Sequence, residues 1–372
     1  MSRVFVKDMR IFTALGDLQN TFSALIAGQT GISRVNRGFT GIGATIHILN
    51  AFQNSSRINP LIDLVLSNLP VLPADTLTIT ASTKAGIDDL ERYFRQKKTS
   101  ACKTLPQWLT SHVRNCLGLN QPGFAVSAAC ASSTIALAQG AKAISSGRAQ
   151  SVLVVCADIV SEFVLRGFDA LKALDRRACR PFDQNRAGLS LGEGAAAVHM
   201  VSEKIAGKAQ SPMAGEVMGW GVACDAVHIT APARDARGLI KAINCALDRA
   251  GLPSRDVGAV NAHGTGTVYN DAMELTAFKA VFGDRPLPVY SIKGAVGHTM
   301  AAAGAVEAAL GLMSLHTGLI PPTVGLEHPD NGALGYVSSE LQVLPRKVMV
   351  TTNSGFGGIN AALVLGLAGS EQ

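Results

Sequence analysis

The 372-residue sequence predicts an α/β protein built from two similar halves. Three observations carry this expectation. Apolar strand-like runs alternate with helical patterns along the chain, the order that parallel β-α-β pairing produces. Hydrophobic residues make up 47% and charged residues only 16%, so a large core can be buried. In each half, a strand turns directly into a helix of small residues with a reactive side chain at the turn. One elbow is Ala129-Cys130-Ala131-Ser132-Ser133, and the other is Lys293-Gly294-Ala295-Val296-Gly297-His298. The two match weakly residue by residue, yet the arrangement implies an internal duplication with an active site between halves.

Taken in order, residues 4–11 read as a strand, and 20–27 as a short helix ended by Gly28. The stretch 34–68 carries no assignable pattern. A strand is expected at 76–80 and a helix at 87–95. The run 123–128 is the strand leading to Cys130, whose helix stops at Ser146-Gly147. Residues 151–155 form a fully buried strand, 179–186 a polar loop, and 189–200 one or two strands. A loose segment at 204–212 separates residues 1–208 from 209–372, the two expected halves. In the second half, 257–262 is a buried strand, a helix ends near Phe282-Gly283, and 289–292 is a strand. His298 leads the next helix, and 361–365 is the final strand.

Composition excludes several classes. The formal charge of +6 is spread out, with small clusters only at Arg95-Gln96-Lys97-Lys98 and Arg176-Arg177, so no nucleic-acid footprint is present. A mild basic excess fits an acidic protein partner or an anionic substrate. Seven scattered cysteines (102, 116, 130, 156, 179, 224, 245), never in a CxxC spacing, argue against a disulfide framework or zinc site and for a reducing, cytoplasmic setting. The uncharged stretch 116–140 contains Pro122, two glycines and a serine cluster near its middle, and reads as a buried strand-turn-helix rather than a membrane span. The charges in the first eight residues mark a strand, not a signal peptide.

The chemistry concentrates at four places. At a helix N-terminus, backbone N–H groups and the macrodipole favour a Cys130 thiolate near neutral pH; a buried structural cysteine is the competing reading. His263, in His263-Gly264-Thr265-Gly266-Thr267, stands at the C-terminal end of a buried strand, where α/β sheets bind ligands. Asp271 and Glu274, just beyond, have capping-box-like spacing and a structural role as the default. Glu307 is the only charge between Met300 and Leu315 and needs a partner, for which Lys293 is the nearest candidate. That pair either orients His298 or carries protons, or is simply a buried ion pair. Last, Asn353-Ser354-Gly355-Phe356-Gly357-Gly358-Ile359-Asn360 allows backbone N–H groups close to a ligand oxygen, and lacks the lysine and helix of a nucleotide-binding P-loop.

Together these residues resemble the β-ketoacyl-acyl carrier protein synthases of the KAS I/II type, in the thiolase-fold superfamily. The likeness is carried by the Cys130 elbow, His-Gly-Thr-Gly-Thr followed by Asn270-Asp271, Lys293 before Gly297-His298, Ala-Ala-Gly-Ala-Val-Glu after it, and the terminal Gly-rich run. Cys179-Arg180-Pro181-Phe182-Asp183 and Leu191-Gly192-Glu193-Gly194 also match. The resemblance implies a five-layered α-β-α-β-α thiolase fold, a homodimer or a heterodimer with a related subunit, and acyl carrier protein as partner. It implies no cofactor and no metal, because substrates ride on the carrier's phosphopantetheine arm. Cys130, His263 and His298 would be catalytic, with Lys293 and Glu307 organising His298. Backbone N–H groups of Cys130 and Phe356 would form an oxyanion hole, Phe356 would gate the acyl pocket, and Thr265 and Thr267 would contact pantetheine. The reaction implied is decarboxylative condensation of a Cys-bound acyl chain with malonyl-acyl carrier protein, in fatty acid, polyketide or polyene biosynthesis.

Alternatives meet specific obstacles. A thiolase needs a second cysteine near the C-terminus, and the last here is Cys245. A KAS III-type enzyme carries Asn where His298 stands. A chain-length factor, the non-catalytic partner of some ketosynthases, is expected to lack the nucleophile, and a cysteine hydrolase would release free acid. The chain also departs from its family pattern. The region before Cys130 is shortened, one Phe is missing from the Gly-rich run, and Val268 replaces a customary proline. These departures point to a specialised synthase working with a partner subunit.

Overall fold

In the computed structural model, residues 2–36, 40–51, 55–96 and 104–369 are described. Lys97, Lys98 and Cys102, noted above, lie outside them. Among the described residues, ten strands form one continuous path through the molecule, with the short strand Gly16–Asp17 pairing Val4–Thr13 off that path, and the order reveals the duplication. From one edge to the centre stand Phe124–Val126, Leu77–Ala81, Ser151–Asp158, Gly194–Ser202 and Val4–Thr13. From the other edge stand Val289–Tyr290, Ala259–Asn261, Val348–Gly355, Ile359–Gly366 and Gly215–Cys224. Numbered in chain order within each half, both read 3-2-4-5-1. Both have two parallel pairings at the edge followed by two antiparallel pairings toward the centre. The halves meet where Phe5 and Val6 pair with Glu216 and Gly215.

Helices complete five layers. Ser132–Ser145 and Ala303–Thr317 pack on each other between the two half-sheets. Ile58–Leu66 and Pro106–Leu117 cover the outer face of the first half-sheet, and Arg237–Ala250 and Val268–Phe282 that of the second. Side chains of both central helices and both half-sheets share one apolar cluster. Small residues make this middle layer possible: a Cβ on Gly304 would lie 1.8 Å from Thr134 Oγ1 and 2.5 Å from Asn353 Oδ1. With no side chain there, the two helices come close enough for polar groups of one half to reach the other.

Some local expectations shift. The stretch 34–68 lies among strands Ile32–Asn36 and Thr40–Ala44, a 3-10 turn His47–Ala51 and the helix Ile58–Leu66. The helices Pro106–Leu117, Glu162–Ala170 and Arg237–Ala250 were not marked by the pattern above. His298 does not lead a helix. Lys293–Val296 forms a single helical turn, and after His298 a 3-10 turn at Met300–Ala302 precedes the helix proper. The described cysteines are free thiols, and no helix among the described residues is long and apolar enough to cross a membrane.

Candidate active site

The Cys130 elbow is built by its own neighbours. Ala129 takes φ of 49°, a left-handed conformation costly for a residue with a Cβ and frequent at functional turns. Ser132 locks it, because its Oγ accepts from Ala128 N–H at 2.8 Å and donates to Ala129 O at 2.6 Å. The next two polar residues reach the other half: Ser133 Oγ accepts from Ala305 N–H at 3.0 Å, and Thr134 Oγ1 donates to Asn353 Oδ1. The second elbow holds Met300 at φ of 51°, and His298 is fixed through its backbone, which donates to Ser190 O at 2.7 Å and accepts from Gly192 N–H at 2.9 Å.

These elements bring Cys130, His263 and His298 together. One sulfur or nitrogen atom from each lies within 4.8 Å of the others, and all three residues are buried. The imidazoles meet edge to face, 5.1 Å between ring centroids. A cavity of about 440 Å³ opens onto them, with Thr265, Thr267 and Phe356 also in its wall. The size suits a small-molecule arm. The hydroxyls of Thr265 and Thr267 are 2.9 Å apart. Gly355 brings the Gly-rich hairpin against the elbow, since a Cβ there would stand 3.2 Å from Cys130 N. The Phe356 ring packs on Phe168, with centroids 5.8 Å apart, at the border of an apolar cluster containing Ile87, Val164 and Met300.

The Lys293–Glu307 pair exists, and its hydrogen bonds reach His263 rather than His298, on which Lys293 acts through its charge. Both side chains are about 1% exposed, and Lys293 Nζ donates to Glu307 Oε1 and to the carbonyl of His263. Glu307 Oε2 accepts from Asn353 Nδ2 at 2.7 Å, and the same Nδ2 donates to His263 Nδ1 at 3.1 Å. With Nδ1 as acceptor, the ring proton is assigned to Nε2, so His263 offers an N–H donor to the cavity. A metal at these three atoms would require that proton to leave. In contrast, neither ring nitrogen of His298 has a hydrogen-bond partner among the described residues.

Electrostatics revise one expectation. Burial pushes the Cys130 thiol up to about 11; Lys293 and Lys84 oppose this, while Asp158 and Glu307 add to it. The resting sulfur is therefore a thiol at neutral pH, because desolvation outweighs what favours the anion. Burial, then Lys293, then the other imidazole hold His263 well below the usual histidine range; burial, Lys293 and Lys84 do so for His298. Both rings are neutral. Burial pushes the Glu307 carboxyl up, against Lys293 and Asn353.

Asp271 and Glu274 are structural, though not as a capping box. Thr267 caps the helix Val268–Phe282 without a side-chain bond. Glu274 instead accepts from His263 N–H at 2.7 Å and Gly264 N–H at 2.6 Å, while Asp271 accepts from Thr265 N–H at 3.1 Å and Phe182 N–H at 2.8 Å. They fold the histidine loop from behind. Burial, then Asp271, pushes the Glu274 carboxyl up to about 7. Asn353, which joins Glu307 to His263, carries no separate signal in the sequence beyond opening the Gly-rich run.

Comparison with known proteins places this site in context. Residues 74–206 match the family model of the beta-ketoacyl synthase N-terminal domain, and residues 214–327 that of the beta-ketoacyl synthase C-terminal domain. Nodulation protein E of Rhizobium meliloti is 36% identical over 293 residues, 76% of this chain and 71% of that protein. The 3-oxoacyl-(acyl-carrier-protein) synthase 2 of Staphylococcus aureus is 34% identical over 269 residues, 70% of this chain and 67% of that one. The solved ishigamide ketosynthase/chain length factor is 26% identical with a TM-score of 0.88, covering 99% of this chain and 100% of its own.

Proposed function

Because the chain belongs to the beta-ketoacyl synthase family, a family of acyltransferases, we propose that it condenses a Cys130-bound acyl chain with malonyl-acyl carrier protein. The observation that carries this reading is the buried meeting of one thiol with two neutral imidazoles at the end of a cavity. Residues 1–208 supply the nucleophile and 209–372 the two histidines.

In the first half-reaction the Cys130 sulfur attacks the acyl thioester. Its proton passes to a His298 nitrogen and on to the departing pantetheine sulfur, so thiol and thioester exchange places. The N–H groups of Cys130 and Phe356 receive the oxyanion. In the second, the bond from the malonyl α-carbon to the carboxylate breaks, carbon dioxide leaves, and the electron pair forms an enolate. His263 Nε2–H and a His298 N–H stabilise the enolate oxygen. The enolate carbon then attacks the acyl carbonyl, and Cys130 departs as thiolate and takes a proton from solvent water, relayed by His298. No α-proton is removed, so neutral donors suffice and a strong base is unnecessary. Thr265 and Thr267 hold the pantetheine arm, and Phe356 screens the acyl chain.

We also infer that the chain pairs with a copy of itself or a related ketosynthase or chain-length-factor subunit. Phe124–Val126 is an unpaired sheet edge with Phe124 exposed, open to strand addition. The likeness to the ishigamide ketosynthase/chain length factor and the short region before Cys130 favour a polyketide or polyene pathway over housekeeping fatty acid synthesis.

Incubation with acyl-acyl carrier proteins should leave an acyl mass on the peptide bearing Cys130. A chain-length-factor-like subunit would carry none, and a hydrolase would release free acid without malonyl-dependent product. The histidines should separate by half-reaction. His263 is fixed as a donor, while no group among the described residues fixes the His298 tautomer. His263→Ala should therefore slow malonyl decarboxylation about 100- to 1,000-fold and spare acyl transfer, whereas His298→Ala should slow both. Equal loss of both steps in His263→Ala would sink this division of labour.

A further inference from the structure

One side chain in the cavity wall is held in a fixed sense while half of its amide goes unused. Asn270 stands in the first turn of the helix Val268–Phe282 and is half-buried. It lines the cavity that opens onto Cys130, together with Thr265 and Thr267. Its Nδ2 donates to Glu274 Oε2 at 2.9 Å and to Asp271 Oδ1 at 3.2 Å. These are the two buried carboxylates behind the histidine loop, and donors already surround them. Besides the N–H groups of His263 and Gly264, Glu274 accepts from the Thr352 hydroxyl at 3.1 Å. Asp271 Oδ1 accepts from Thr265 N–H at 3.1 Å and Gly266 N–H at 3.2 Å.

Carboxylates ringed by donors act as acceptors, so the amide cannot be turned over: its oxygen would then face two acceptors. Both protons of Nδ2 are taken, and Oδ1 points away from the pair. It accepts no hydrogen bond from a described residue. The other amide and the carboxylate in this wall are spent within the protein. Asn360 Nδ2 donates to Gly358 O at 3.1 Å, and its Oδ1 accepts from Ser354 Oγ at 2.7 Å. Asp225 turns one oxygen to Ala233 N–H at 2.9 Å and the other against Gly358, where an added Cβ would lie 1.9 Å away.

Asp271 Oδ1 ties Asn270 to the two threonines, since the same oxygen holds Thr265 N–H and Asn270 Nδ2. Between the threonine hydroxyls, 2.9 Å apart, one proton makes the bond and the other is left to donate. The wall therefore offers a hydroxyl donor and an amide acceptor in one rigid frame. That pairing complements a secondary amide, whose carbonyl accepts and whose N–H donates.

We propose that Asn270 Oδ1 binds substrate by accepting the N–H of one of the two amides of the pantetheine arm, while the Thr265–Thr267 pair donates to an amide carbonyl of the same arm. This deepens the condensation reading and rests on it. A buried amide N–H without an acceptor is costly, so the fixed oxygen selects an amide-bearing arm over one that lacks the N–H.

The probe is an S-alkyl pantetheine thioether, which Cys130 cannot cleave, with two analogues in which an ester oxygen replaces one or the other amide N–H. Titration calorimetry gives a dissociation constant for each. Wild type should bind one of the two esters about 3- to 10-fold more weakly than the parent, the range of a single hydrogen bond. In Asn270→Leu and Asn270→Ala that ratio should fall toward about 1. The ratio is the readout, because an asparagine that only braced the loop would weaken parent and ester alike. The proposal is overturned if wild type binds both esters as tightly as the parent, or if the ratio persists in either variant. Either result leaves acyl transfer to Cys130 intact, since the thioether takes no part in it. Failure of wild type to bind the parent at all would instead sink the pantetheine reading of the cavity, and this proposal with it.

Discussion

On the proposed mechanism, Cys130→Ala should abolish the acyl-enzyme and lower condensation by about four orders of magnitude, because the sulfur that would hold the acyl group is gone. His263 and His298 flank the sulfur as neutral rings, and the hydroxyls of Thr265 and Thr267, in the wall of the same cavity, are bonded to each other. Cys130→Gln separates the half-reactions further. Its side-chain amide stands where the acyl thioester would be, so the protein resembles the acylated state without a nucleophile. On the proposed mechanism malonyl decarboxylation needs only the two imidazoles, so it should persist in that variant while condensation should not. Release of carbon dioxide and formation of acetyl-carrier protein are the readouts. Loss of both activities in Cys130→Gln would remove the role given to the histidines, and condensation surviving in Cys130→Ala would remove the nucleophile.

Lys293→Met has the largest expected effect on stability. It leaves the Glu307 carboxylate in a fully buried position without its countercharge, a change that costs about 3–5 kcal/mol when one partner of a buried pair is removed. The His263 carbonyl also loses its donor. Lys293→Met combined with Glu307→Leu should recover much of the stability, since no charge is then stranded. It should not recover decarboxylation, because Asn353 no longer has Glu307 to fix its amide toward His263. Urea unfolding and decarboxylation assays measure the two separately. A single variant within about 1 kcal/mol of wild type would mean that the pair behaves like an exposed one.

Much of the site was legible because its signals are local. A strand followed within a few residues by small side chains specifies a tight elbow, and Cys130 and His298 each stand in one. The His263 motif is legible for the same reason, at the end of an apolar run. Glu307 announces a buried partner because an acid in a helix of Ala, Gly and Leu has no other explanation. The helices covering the outer faces went unmarked although their apolar faces have helical spacing, as Leu239, Ala242, Ile243, Ala246 and Leu247 do in Arg237–Ala250.

What the sequence determined by itself is the α/β alternation, the duplication, and the candidate residues for the proposed chemistry, since the alternation and the motifs depend on neighbours within about ten positions along the chain. The tertiary structure decided how they work together. It gave the Lys293–Glu307 pair to His263 through Asn353, and turned Asp271 and Glu274 back onto the histidine loop. It also decided the state of Cys130. A helix N-terminus favours the thiolate, but how far water is excluded from the sulfur is a property of both halves closing over it. That exclusion, with the thiol pushed up to about 11, makes proton transfer a necessary part of the proposed reaction.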